Sequence, residues 1–221
     1  MQRPRTGETV IPLSANPDSP FAPAAEGPAL VLWVDGGGAF LICLKNQLRI
    51  GRTGTGGDLT FMAPLSSPHA TLIQTGESHV IVPEQPVVIA GRRTGEPTLL
   101  RHGQSVELAP EVRIAFATPS PLSRTAVLSF PGKVPPTPTL DAAILMNQTC
   151  LIGKDPRNHI VVPTVQEQAV LIWNGTELTC RFAVDLGQNG MDSFWGESQP
   201  VRPGSTVTGR EIRFHCERSK S

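Results

Sequence analysis

Short apolar runs separated by glycine- and proline-rich turns recur along this chain from Ala29 to Cys216. Among them are ALVLWV, AFLICL, HVIV, VVIA, VRIAF, AAILM, HIVV, AVLI and LTCRFAV. They are too short for ordinary helices, rich in β-branched residues, and show no sustained 3.6-residue period. The 21 Gly and 22 Pro among 221 residues supply the turns such a pattern needs, and 39% apolar residues supply a core. The expectation is an all-β chain of sandwich-like sheets with little helix.

A phrase written twice organises these runs. LKNQLRIGR, from Leu44 to Arg52, matches LMNQTCLIGK, from Leu145 to Lys154. Upstream, ALVLWVDGGG pairs with TAVLSFPGK; downstream, RHGQSVELAPEVRIAF pairs with RPGSTVTGREIRF. Landmarks repeated in one order point to two similar β-sandwich units in tandem. The expected divisions are a flexible Pro/Ser/Thr-rich tail at 1–27, a first unit at 28–119 and a second at 120–221. The second unit carries a Pro-rich insert, PGKVPPTPTL, between its first two strands.

Nineteen basic and nineteen acidic side chains cancel, so no global field draws nucleic acid or an anionic membrane. No apolar run reaches the roughly 18 residues of a transmembrane helix, and the N-terminus lacks a secretory apolar core. The four cysteines (Cys43, Cys150, Cys180 and Cys216) are far apart and read as reduced thiols packed in strands, with a Cys180–Cys216 disulfide as the alternative. None has a partner at zinc-ligand spacing. These features predict a cytoplasmic protein with no metal or other cofactor.

The chemistry concentrates in IGRTGTGGDLTFMAPLSSPHATL, from Ile50 to Leu72. Three readings compete. Arg52, a serine hydroxyl and exposed glycine-rich backbone suit a phosphate dianion, which an arginine fork binds bidentately. Ser66 or Ser67 with His69 suggests a nucleophile and its base, although no orienting acid or oxyanion loop accompanies them. Alternatively, Gly51 only allows a bend, Arg52 is solvated, and His69 is a hydrogen-bonded histidine at a strand start.

Gly51-Arg52 followed by Ser66-Ser67-Pro68-His69, and later LLRHGQSVEL, resembles the forkhead-associated (FHA) domain signature. The resemblance covers Ala29 to about Phe116. It implies an eleven-stranded β-sandwich whose loops bind phosphothreonine peptides, without catalysis. Under it, Arg52 and Ser66 hold the phosphate, Ser67 stands where the family often has Arg or Lys, and His69 with Gly51 supports the loops. The family's peptide-gripping Asn is missing. HVIVPEQPVVIAGRR offers Gln85 as the amide, with Arg92 as a further cation.

In the second copy, Gly153-Lys154 keeps the bend and a charge, but Val165 and Gln168 replace Ser66 and His69. That unit is expected to lack a phosphothreonine pocket, and its His159 and Trp173 are expected to pack. The implied partner is a phosphothreonine-bearing protein in a signalling role. A second possibility is an FHA-like scaffold that binds proteins without phosphate. A third is an intramolecular contact with the tail through Thr6 or Thr9.

Overall fold

The computed structural model describes residues 27–120, 123–185 and 193–219. The expected tail and its Thr6 and Thr9 lie outside the described residues, Gly27 excepted. No helix occurs among the described residues, so none is long and apolar enough to cross a membrane. The chain is all-β, as its short branched runs require.

The first half supplies β1 (Ala29–Val34), β2 (Gly38–Cys43), β3 (Gln47–Arg52), β4 (Leu59–Phe61), β5 (Ala70–Thr75), β6 (Ser78–Pro83), β7 (Val87–Ile89), β8 (Arg92–Thr94), β9 (Thr98–Leu100), β10 (Ser105–Ala109) and β11 (Val112–Ala117). The second supplies β12 (Ala126–Ser129), β13 (Ala142–Leu145), β14 (Thr149–Gly153), β15 (Ile160–Val161), β16 (Ala169–Trp173), β17 (Leu178–Asp185), β18 (Ser193–Trp195), β19 (Gln199–Pro200), β20 (Thr206–Thr208) and β21 (Arg213–Arg218).

Two small sheets share one pattern. The first runs β4-β3-β5-β6-β9, and the second β15-β14-β16-β17 with β18 and β19 both on β17. Each has one parallel pair, β3 with β4 and β14 with β15, at the position where the sequence repeats Gly-Arg and Gly-Lys.

Between them lies a ten-stranded sheet, β20-β21-β1-β2-β13-β12-β11-β10-β7-β8. Its order exposes a hairpin exchange. Hairpin β1–β2 lies against β21, the last strand of the second half, and hairpin β12–β13 lies against β11, the last described strand of the first. The two hairpins meet through the parallel pair β2–β13, with Ile42 opposite Ile144. The expected unit boundary near 117–120 therefore falls between hydrogen-bonded neighbours, Phe116 opposite Leu128.

The exchange explains why the central runs are continuously apolar. Val31, Leu41, Cys43, Ala143 and Leu145 face the first core with Ile50, Phe61, Leu72 and Phe116. Leu32, Phe40, Ile42, Ala142 and Ile144 face the second with Ile152, Leu171 and Phe214. Strands buried on both faces lose the polar alternation of half-exposed strands. Burying one leucine or isoleucine contributes roughly 1.5–3 kcal/mol, against about 1 kcal/mol net for a ladder hydrogen bond. Packing on two cores outweighs the ladder in placing these hairpins.

The Pro-rich insert between β12 and β13 covers the edge strand β4. Thr137 N donates to the Thr60 carbonyl at 2.7 Å, and Thr60 Oγ1 donates to the Thr137 carbonyl at 2.9 Å. Phe130 packs edge-on against Phe61 at 5.9 Å. An open strand edge is thereby closed by the other half of the chain. All four cysteines are buried and free, so the Cys180–Cys216 alternative is not formed. Burial raises the Cys43 thiol to about 12 and the Cys216 thiol to about 11.

Candidate functional site

Strand β3 ends at Gly51-Arg52, and the 66–68 loop crosses directly over it. A Cβ at Gly51 would sit 2.8 Å from the Ser66 carbonyl, so glycine is what admits the crossing. Two backbone bonds then lock it: Arg52 N donates to the Ser66 carbonyl at 3.2 Å, and His69 N to the Ile50 carbonyl at 2.7 Å. A fifteen-residue gap in sequence becomes a contact in space.

His69 ties two loop segments to the end of β3. Its Nδ1 accepts the Ser66 N–H at 3.3 Å, and its carbonyl accepts the N–H groups of Glu84 at 3.0 Å and Gln85 at 3.2 Å. With Nδ1 accepting, the ring proton belongs on Nε2, which is buried without a bond of good geometry. Burial lowers the His69 pKa, and the nearby Leu108 carbonyl opposes this only in part. The ring is thus neutral, with no free lone pair to take a proton from either serine. A nucleophile–base arrangement is not what this geometry provides.

Around this brace the hydroxyls divide. Ser66 is half-buried, and its hydroxyl has no protein partner among the described residues. Ser67 is exposed and donates to Thr55, both to the carbonyl at 3.2 Å and to the hydroxyl. Thr55 Oγ1 in turn donates to the Arg52 carbonyl. Thr55 was not singled out in the sequence. A hydroxyl flanked by glycines in the loop after Gly-Arg was the available signal.

The Arg52 guanidinium is exposed and without an ion-pair or hydrogen-bond partner among the described residues. Asp58 is the one acid between Arg52 and Ser66, and it turns inward. Its buried carboxylate accepts from Lys45 Nζ at 2.6 Å and Arg49 N at 2.8 Å. The loop's negative charge is spent on its own base, which leaves Arg52 and the hydroxyls as a net cationic, donor-rich patch.

Gln85 reaches this end of the sandwich through its backbone bond to His69, and its side chain is exposed. Exposed Glu84 stands beside it. Arg92 sits elsewhere. It follows the two-residue turn Ala90-Gly91 (φ 48 and 82) and pairs with Ile89, at the end of β7 away from the 84–86 loop. No hydrogen bond or ion pair joins it to the cluster among the described residues.

The matching loop of the second half has the opposite character. Lys154 donates to Gln166. Glu211 accepts from Gln166 N and, at 3.2 Å, from Glu167 N. The Glu167 carboxylate is buried and accepts the N–H groups of Arg210 at 3.1 Å, Glu211 at 2.8 Å and Ile212 at 2.9 Å. Two carboxylates stand behind this loop, and its lysine is engaged. His159 is buried, its Nδ1 accepting from Leu151 N at 2.9 Å, and burial drives its pKa down to about 4. Trp173 packs against the second core.

No three His, Cys, Asp or Glu side chains gather at metal-binding distance among the described residues. No protein-family model, curated protein or solved structure matches this chain.

Proposed function

We propose that this chain is a non-enzymatic phosphothreonine-recognition protein of the FHA type, with the phosphate held by Arg52 and Ser66 and the loops braced by Gly51 and His69. The observation that carries this reading is the unpaired Arg52 guanidinium tied through its own N–H to Ser66, whose hydroxyl is also unpartnered. An arginine fork with an adjacent hydroxyl suits a phosphate dianion. Ser67 and Thr55, whose hydroxyls donate to Thr55 and to the Arg52 carbonyl, hold the glycine-rich loop beside the phosphate site, and Gln85 supplies the peptide-facing amide. The second half serves as structure, completing the shared sheet. Four buried free thiols fit a reducing, cytoplasmic setting and a signalling role.

Titration of the full chain with a phosphothreonine peptide and with its unphosphorylated and phosphoserine forms tests the reading. The phosphothreonine form is expected to bind far more tightly than either. Arg52→Ala should cost about 2 kcal/mol, roughly 30-fold in affinity. Full binding by Arg52→Ala would remove the site assignment.

One observation favours a scaffold that binds its partner without phosphate: the 84–86 loop holds Glu84 where an anionic ligand would prefer an amide. Under that reading, partner capture is indifferent to both phosphatase treatment and Arg52→Ala.

A further inference from the structure

The loop that carries Thr55 toward Ser67 also walls a groove of about 480 Å³. Its floor comes from both halves of the chain: Val31 and Leu41 from hairpin β1–β2, Leu59 from β4, and Leu140 from the Pro-rich insert. Trp33 and Pro138 also line it, and Trp33 is 42% exposed, its Nε1–H donating to Glu217 Oε2 at 3.1 Å. Gly54 and Gly56 form the loop side, and their backbone N–H groups have no hydrogen-bond partner among the described residues. An aromatic ring, a proline and free amide donors around one apolar floor suit an extended proline-rich segment. Such a segment is preformed, turns once every three residues and leaves its carbonyls unbonded.

The described chain begins at the edge of this groove. A Cβ at Gly27 would lie 2.4 Å from the Leu44 carbonyl oxygen and 3.0 Å from Lys45 N. The Lys45 ammonium bonds Asp58, which lines the groove. The Ala29 carbonyl accepts the N–H of Ser219, another lining residue, at 3.0 Å. Residues 1–26 therefore join the fold beside two walls of the groove. Among them Pro17, Pro20 and Pro23 recur at intervals of three, a spacing that gives one shared face in a polyproline II helix. Asp18 belongs to a different face, so it need not meet the Glu217 carboxylate. Only Ala24, Ala25 and Glu26 separate Pro23 from Gly27. At roughly 3.3 Å per residue that connection reaches as far as the backbone from Gly27 to Val31.

We infer that Pro17–Pro23 of this chain docks in the groove as a polyproline II segment, with Pro20 against Trp33 and Pro23 nearer Val31. Tethering chooses this occupant. A segment so close to its site has an effective concentration on the order of millimolar, which a free proline-rich partner has to exceed. The docked segment straps the 53–57 loop, which Thr55 ties to the Arg52 carbonyl. The inference is independent of what binds at Arg52.

Two-dimensional NMR of the full chain tests it, with the Trp33 Nε1–H resonance assigned by its loss in Trp33→Phe. Nuclear Overhauser contacts should join the Trp33 ring to the Pro20 and Pro23 rings. Pro17→Ser, Pro20→Ser and Pro23→Ser combined should remove them and shift the Trp33, Gly54 and Gly56 resonances, with the core resonances unmoved. A peptide spanning residues 17–23 should bind this triple variant at least about threefold more tightly than the intact chain, where the tethered copy competes. Equal peptide affinity for both proteins overturns the inference, because the groove is then open to a proline-rich segment of another protein. Contacts to Trp33 from Val10–Leu13, or only between differently labelled copies of the chain, overturn it in favour of those occupants. Unchanged Trp33, Gly54 and Gly56 resonances in the triple variant overturn it outright.

Discussion

His69 accepts the Ser66 N–H on Nδ1 at 3.3 Å, and its carbonyl holds the N–H groups of Glu84 and Gln85. One residue thus ties two loops of the candidate site, the 66–68 loop through its ring and the 84–85 loop through its backbone carbonyl. His69→Ala should lower stability by about 1–3 kcal/mol and weaken phosphopeptide binding through loop disorder. His69→Asn, whose amide oxygen can accept the same N–H, should recover part of both. Chemical denaturation and peptide titration of the two variants check this, and equal losses in both would count against the bracing role.

Gly51 predicts a backbone effect with no chemistry attached. An alanine Cβ there would meet the Ser66 carbonyl at 2.8 Å, a backbone atom that cannot rotate away. Gly51→Ala should cost about 1–3 kcal/mol by displacing the loop. Phosphopeptide affinity should fall even though Arg52 and Ser66 are both present. An unchanged melting temperature would show that the crossing is looser than the geometry indicates.

The buried histidines set a pH window. Burial lowers the pKa of His69 and His79, and takes His159 to about 4. Between about 6.5 and 4 the unfolded chain binds protons that the folded chain refuses. The stability these neutral rings confer is therefore complete above about 6.5 and is lost as pH falls toward 4. For His159 the shift corresponds to roughly 3 kcal/mol. The urea midpoint should decline across that interval, and His159→Gln should flatten the decline. A midpoint indifferent to pH in that window would contradict the assignment.

Glu167 is a buried carboxylate that exists to be bonded, with three backbone N–H groups of the 210–212 turn on its two oxygens. Glu167→Ala strands those donors and should cost at least the roughly 1–3 kcal/mol of one unsatisfied buried polar group. Glu167→Gln, which keeps an oxygen acceptor, should cost less. Guanidinium denaturation of both variants separates the hydrogen bonds from packing.

The hairpin exchange makes a prediction about fragments. Residues 28–119 alone leave β11 without β12, β1 without β21 and β2 without β13, so three sheet edges open and the hairpin face that packs on the second core meets water. That fragment should show no cooperative melting, whereas the two halves expressed together should assemble and melt as one body. A sharply melting, monomeric first fragment would mean the hairpin can return to its own half.

Much of the site could be read in the sequence because it depends on local spacing. Gly51, Arg52, Ser66 and His69 sit at the ends of runs whose pairing, Ile50 with Ala70, follows from their apolar pattern. Gln85 stands at the same end because it follows β6, the strand paired with β5. Arg92 fell outside the cluster because a three-residue strand and a tight turn carry it to the other end of β7, and charge alone does not say where a turn points. Thr55 and Asp58 went unremarked, since the inward turn of one and the outward turn of the other depend on Lys45, Arg49 and Ser67, which lie distant in sequence.

Chain composition and run length decided the all-β class, the strand positions, and the Gly-Arg and Ser-Ser-Pro-His punctuation, because those rest on side-chain shape and local turn chemistry. Tertiary structure alone decided which hairpin joins which strand. Backbone hydrogen bonds carry no address, and β1–β2 and β12–β13 are both apolar on both faces, so either suits either neighbour locally. What separates the alternatives is packing on two cores at once, through Ile42 beside Ile144 and their neighbours. That energy belongs to the assembled sheet and to no single stretch of residues.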